Sequence, residues 1–162
     1  MKTTNHNTSV SIRRASAKDA AIIADFRYKM FSEMRPKENF SKKRKRFMRE
    51  SIGYYKSHAG LRSQFDCIAV VNGKIVGCGS ILFLDGPPHI VRIGSRLGYI
   101  LNVFVEKEHR RRGIAGKIMK KLHAEGRKHL IRRVSLHASA AGYPLYRGLG
   151  YRENDMYLEM DL

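Results

Sequence analysis

A chain of 162 residues, 43 % of them apolar, is long enough to build one domain with a proper core and too apolar to be disordered. Thirty-two Lys and Arg against 14 Asp and Glu leave a formal charge of +18, which bears on partners and solubility rather than on fold. No apolar run approaches the roughly 18 residues that cross a bilayer, the start Met-Lys-Thr-Thr-Asn lacks the apolar stretch of a signal peptide, and Cys67 and Cys78 form no metal-ligand pattern, so a cytoplasmic, membrane-free protein without a metal is expected.

Residues 1–9 are polar and unpatterned and read as a flexible tail, with 10–162 as a single domain. Val10 to Arg13 reads as a strand, and Ser16-Ala17-Lys18-Asp19 as a capping box. Ile22, Ile23, Phe26, Met30 and Met34 then recur at helical spacing. After Pro36 a second helix is expected over Phe40 to Tyr55, with Phe47, Met48, Ile52 and Tyr55 on one side. It carries the run Lys42-Lys43-Arg44-Lys45-Arg46, which reads either as a nucleic-acid patch or, favoured here, as a solvated face. No aromatic residue interleaves it as a single-strand binder would require.

Phe65 to Val71 and Lys74 to Leu84 flank Asn72-Gly73, a strong two-residue hairpin signal. Their continuous apolarity suits strands buried on both faces. Asp85-Gly86-Pro87-Pro88 ends the second strand, and 85–97 reads as a loop carrying Arg92 and Arg96. Strand 98–105, helix 113–128 and strand 133–138 make a βαβ unit, whose crossover implies parallel strands. A short helix near 142–149 holds Pro144 in its first turn, and the alternation of Met156, Leu158, Met160 and Leu162 predicts a half-buried terminal strand.

The stretch Leu101 to Gly116, LNVFVEKEHRRRGIAG, organises the rest. A strand, a charged turn and a helix start bring free backbone N–H groups, a positive dipole end and Arg110, Arg111 and Arg112 to one point, which suits a pyrophosphate. The spacing fits neither a P-loop nor a dinucleotide fingerprint. It resembles the [RQ]-x-x-G-x-[GA] signature of the GNAT superfamily of acyl-CoA-dependent N-acetyltransferases, with Arg110, Gly113 and Ala115 at the three defined positions. His137 to Tyr151, HASAAGYPLYRGLGY, is similar to that family's second signature, in which a short helix carrying a Tyr precedes a Gly-aromatic pair, here Tyr146 and Gly150-Tyr151. The two signatures stand in the family's order, and the likeness spans nearly all of 10–162.

The resemblance implies an α/β, GNAT-like fold: a mixed central sheet with a parallel βαβ core and helices on both faces. It implies acetyl-CoA as co-substrate, with backbone groups of Val103, Phe104 and Val105 pairing the pantetheine arm. Amides within Arg111, Arg112, Gly113, Ile114, Ala115 and Gly116 would cradle the pyrophosphate. Ser139 stands where many relatives have an Asn that contacts the cofactor. Tyr146 would be the acid that protonates the leaving sulfur, and a backbone N–H of the 101–104 region would hold the oxyanion. No general base is visible: Val134, Ser135 and Leu136 include no Glu, Glu106 and Glu108 face solvent on this reading, and Asn102, Ser135 or His137 could orient a water.

The leading function is therefore transfer of an acetyl group to a primary amine of a small molecule or peptide by direct attack. The charge argues for an acceptor that is neutral or acidic rather than polycationic, and a homodimer is left open. Two alternatives accompany it: a nucleic-acid-binding protein on this scaffold, for which +18 and 42–46 speak, and a non-catalytic acyl-CoA sensor, for which the missing base speaks.

Overall fold

In the computed structural model the described residues are 9–88, 90, 96–153 and 160. The tail 1–8, Arg92 and the terminal strand expected at 156–162, save Met160, lie outside them. Strand β1 (Val10–Arg14) leads through a 3-10 turn into α1 (Ala20–Met34) and α2 (Ser41–His58). Then come β2 (Gln64–Val71), β3 (Lys74–Asp85), β4 (Arg96–Val105), α3 (Ile114–Lys128), β5 (Val134–Ser135) and α4 (Tyr143–Gly148). The five strands lie in sequence order in one sheet, antiparallel except for β4 and β5, which are parallel. This is the mixed α/β sheet expected.

Chain entry into α1 rests on Asp19. Its carboxylate accepts the Ser16 amide and hydroxyl at 2.8 and 2.9 Å and two Arg13 bonds at 2.9 and 2.8 Å. The Arg13 bonds lead in holding its pKa down to about 2. At the other tight turn, Asn72 and Gly73 take φ of 48° and 76°, the doubly positive pair that a two-residue hairpin demands.

Apolar side chains divide between the two faces of the sheet. Ile114, Ile118, Met119 and Leu122 of α3 bury one stripe against Cys67, Ala69, Val76 and Ile81. Ala20, Ile23 and Phe26 of α1 with Tyr55 of α2 cover Ile68, Cys78 and Phe104 on the other. Each fully buried Leu, Ile or Phe contributes about 1.5–3 kcal/mol by its removal from water. Helices on both faces follow from strands apolar on both sides.

Three boundaries depart from expectation. The helix expected to end at Tyr55 runs to His58, whose imidazole stacks on Tyr54 at 4.0 Å between centroids. Arg96 belongs to β4 and not to a loop, because it pairs with Asp85 across the strands at 2.8 Å. The strand expected at 133–138 is only Val134–Ser135, since β4 and β5 pair at Gly98–Val134 and Tyr99–Ser135 and then part.

Candidate active site

The parting of β4 from β5 creates the first half of the site. Leu101 pairs with Ser80 and Phe104 with Cys78, so Asn102 and Val103 together face the single residue Gly79. That is a β-bulge, and Asn102 takes the left-handed φ of 56° inside it. Gly79 is needed there: a Cβ would stand 2.5 Å from Ile118 Cγ2. Beyond the bulge the Glu106 N–H bonds Val76 O, and Phe104 pairs with Cys78, so 104 and 106 turn their backbones toward β3. Alternation turns those of Val103 and Val105 the other way, toward the gap. One of these groups has a partner already: Arg110 Nε donates to Val105 O at 2.7 Å.

Arg110 also donates from Nη2 to both Glu33 oxygens, at 3.0 and 2.8 Å, and lies 5.4 Å over the Phe104 ring. The first position of the signature thus ties the turn to the end of β4 and to α1, and is not one more loose surface cation. Arg111 and Arg112 remain exposed.

The second half of the site is the turn itself. Arg111 and Gly113 have φ of 61° and 73°, which tilts successive amides to one side. Lys117 N–H is the first in α3 to close a helical bond, onto Gly113 O at 3.1 Å. Among the described residues the amides from Arg111 to Gly116 have no backbone acceptor. A Cβ on Gly113 or Gly116 would meet nothing within 4 Å, so the approach to these amides is open. Ile114 sends its side chain into the core and Ala115 packs on the edge of the same cluster, leaving backbone as what they offer outward. Free amides beside an unpaired strand edge fit the phosphates and the amide-bearing arm of a CoA thioester.

Tyr146 and Val103 pack on that same cluster, which brings strand edge, turn and tyrosine to one patch of core. The Gly-aromatic pair has a mechanical origin. Tyr151 N–H bonds Tyr146 O at 3.0 Å and Gly150 N–H bonds Arg147 O at 3.0 Å, a Schellman ending with Gly150 at φ 89°. The reversal returns the Tyr151 ring edge-on to Tyr146, at 5.9 Å. Gly142 completes the seat, since a Cβ there would meet the Tyr146 ring at 2.9 Å. Burial pushes the Tyr146 hydroxyl pKa up, and the hydroxyl has no hydrogen-bond partner among the described residues. Ser139 is engaged as a cap: its Oγ accepts Gly142 N–H at 3.2 Å, and its carbonyl accepts the amides of Gly142 and Tyr143.

The model of the Acetyltransferase (GNAT) family matches residues 27–151. The chain belongs to this family. Among solved structures it is similar to a predicted acetyltransferase with acetyl-CoA from Clostridium acetobutylicum, at 26 % identity over 94 % of this chain and 96 % of that one, with a TM-score of 0.83. A GCN5-related N-acetyltransferase from Ralstonia eutropha follows at 23 % identity, 94 % and 99 % coverage and a TM-score of 0.82. A ribosomal-protein-alanine N-acetyltransferase from Brucella melitensis shares the fold at 20 % identity, 95 % and 99 % coverage and a TM-score of 0.68. No curated protein matches.

Other polar groups of this acetyltransferase sort by their partners. Glu106 takes Lys29 at 2.7 Å, Glu108 lies 3.8 Å from Lys74, and His137 Nδ1 is 2.6 Å from Tyr99 Oη. Cys67 and Cys78 are buried free thiols, and burial pushes Cys67 up to about 12, so neither supplies a thiolate. Among the described residues no cluster of His, Cys, Asp and Glu could hold a metal, and no helix is long and apolar enough to cross a membrane.

Sequence reasoning missed the polar residues under α1 and α2. Tyr54 Oη donates to Gln64 Oε1 at 2.5 Å, and Gln64 Nε2 donates to both Asp66 oxygens at 2.9 Å. Burial raises the Asp66 pKa. Asn102 Nδ2 donates to Tyr55 Oη at 3.2 Å. One signal was available: a carboxylate at 66 inside an otherwise apolar strand demands partners.

Proposed function

We propose that this acetyltransferase moves the acetyl group of acetyl-CoA to a primary amine by direct attack in a ternary complex. The observation that carries the reading is the convergence on one patch of core of the β4 edge, an amide-lined turn and the Tyr146 hydroxyl, the edge without a partner strand and the hydroxyl without a hydrogen-bond partner among the described residues. The Val103 carbonyl and the Val105 N–H pair the pantetheine arm; Phe104, expected to join them, has its backbone turned to β3 and supports them from the sheet, and the amides of Arg111 to Gly116 receive the pyrophosphate. Arg111 and Arg112 add charge at the rim, and Ser139 shapes the approach by capping α4.

Acetyl-CoA, when bound, supplies an acyl group on a good leaving sulfur. The Val103 N–H at the open edge is the donor available to the acyl oxygen as charge builds there. The amine must arrive neutral, having given its proton to solvent; its lone pair then forms the C–N bond as the C–S bond breaks, and the nitrogen, now cationic, releases one further proton to solvent to give the neutral amide. Tyr146 gives its Oη proton to the departing sulfur and regains one from solvent. Its raised pKa keeps that proton in place at neutral pH.

Calorimetry with Gly113→Val tests the cofactor half. The substitution puts a branched side chain at φ 73° in the open space over the amides. Acetyl-CoA affinity should fall by well over tenfold. Unchanged affinity in a folded variant would remove the turn from the site.

A further inference from the structure

Between α1, α2 and β4 lies a cleft of about 450 Å³, within the range of small-molecule sites. Leu101 forms its floor, two residues before Val103 and the open edge of β4. Phe47, Tyr54 and Tyr55 give it aromatic walls, with Arg27 and Glu50 as its charged members. The two charges are not equivalent. Glu50 accepts Arg46 at 2.7 Å. Arg27 has no acidic partner among the described residues; its guanidinium rests 4.8 Å over the Phe31 ring, leaving its donors unspent.

Polar groups at the floor are also half satisfied. Tyr55 Oη accepts Asn102 Nδ2, so its own proton is left for another acceptor. Asn102 Oδ1, beside Leu101, is buried in a residue only 3 % exposed and has no partner among the described residues. A buried acceptor of this kind calls for an ordered water as its donor.

Building on the acetyl-transfer reading, we infer that this cleft takes the acceptor, and that the acceptor is an amino-carboxylate with an apolar or aromatic body. Its carboxylate meets the Arg27 fork, its body lies against Phe47 and Tyr54, and its amine lies at the Leu101–Asn102 end, toward the open strand edge. A guanidinium suits this task because its planar donors match both carboxylate oxygens. A polyamine would set a second cation against Arg27, with no unpaired carboxylate in the lining to offset it.

The experiment compares kcat/KM for L-phenylalanine and for phenylethylamine, the same body without the carboxylate, in the wild type, Arg27→Gln and Arg27→Lys. Acetyl-CoA affinity and Tm are measured for each. Arg27→Gln should lower the phenylalanine value by tenfold or more, mainly through KM, and leave phenylethylamine within twofold. Arg27→Lys should recover part of the loss, since it restores the charge without the fork. Equal losses for both amines, or a wild type that favours phenylethylamine, would overturn the inference. So would acetylation of polyamines with neither aromatic amine accepted. Failure of the wild type to bind acetyl-CoA would instead bring down the acetyl-transfer reading, and this one with it.

Discussion

At the scale of single residues, the surroundings of Tyr146 make its proposed role as the acid testable. Its ring is seated by Gly142 and Tyr151, while its hydroxyl makes no internal bond among the described residues. Tyr146→Phe should therefore keep the fold and the acetyl-CoA affinity and lower kcat by roughly 10²–10⁴. Wild-type turnover in that variant would make Tyr146 a packing residue. Asp19 makes a separate prediction, about stability. Bonds from Arg13 first, then Ser16, lower its pKa from 3.8 to about 2 against the opposing effect of burial. A carboxyl that titrates lower in the folded chain stabilises it fully above about pH 5 and loses that contribution as pH falls toward about 2. Because Arg13 is half exposed, about 1–2 kcal/mol is a fair magnitude. The stability gap between wild type and Asp19→Asn should be largest near neutral pH and shrink below pH 4. A gap that holds constant down to pH 3 would contradict the assignment.

Elements show where sequence reading succeeds and where it stops. The Asn72-Gly73 hairpin and the stripe of Ile114, Ile118, Met119 and Leu122 depend on neighbours within one element or turn, and were legible; Tyr146 and Gly150-Tyr151 stood out only through the likeness to the family's second signature. The bulge at Asn102–Val103 depends on Gly79, more than twenty residues away, and on the side chain of Ile118 between them. No local pattern encodes such a contact. Arg96 was misread for the same reason, and the tie from Arg110 to α1 went unseen, since Asp85 and Glu33 define their roles from other elements. The cleft is less legible still: Arg27, Tyr54 and Leu101 come from three elements and share no spacing. Gly79 gives the element-scale prediction. Gly79→Ala would press a methyl against Ile118 and Leu122, at 2.5 and 3.1 Å before relaxation, and should cost about 1–3 kcal/mol in denaturant unfolding. A loss below a few tenths would mean that α3 shifts freely over β3 and that the bulge is not held in this way.

Across the whole molecule, charge is distributed with a purpose only in part. Of the run at 42–46, Arg44 reaches Asp25 and lies over Tyr28 of α1, so it serves helix packing, while Arg46 pairs with Glu50 one turn on along the exposed face of α2. Lys42, Lys43 and Lys45 stand exposed near the start of α2, where the helix dipole already disfavours cations and no acid compensates. A net +18 draws anions toward the surface, and acetyl-CoA is one. Attraction alone is not transfer. Release of CoA from acetyl-CoA should be followed with and without neutral, acidic and polycationic amines, with mass spectrometry of the products. Release should depend on added amine and be matched mole for mole by an N-acetyl product, with neutral or acidic amines preferred over spermidine. Tight acetyl-CoA binding with release that no amine accelerates would contradict the proposed transfer and leave a protein that holds the thioester without using it.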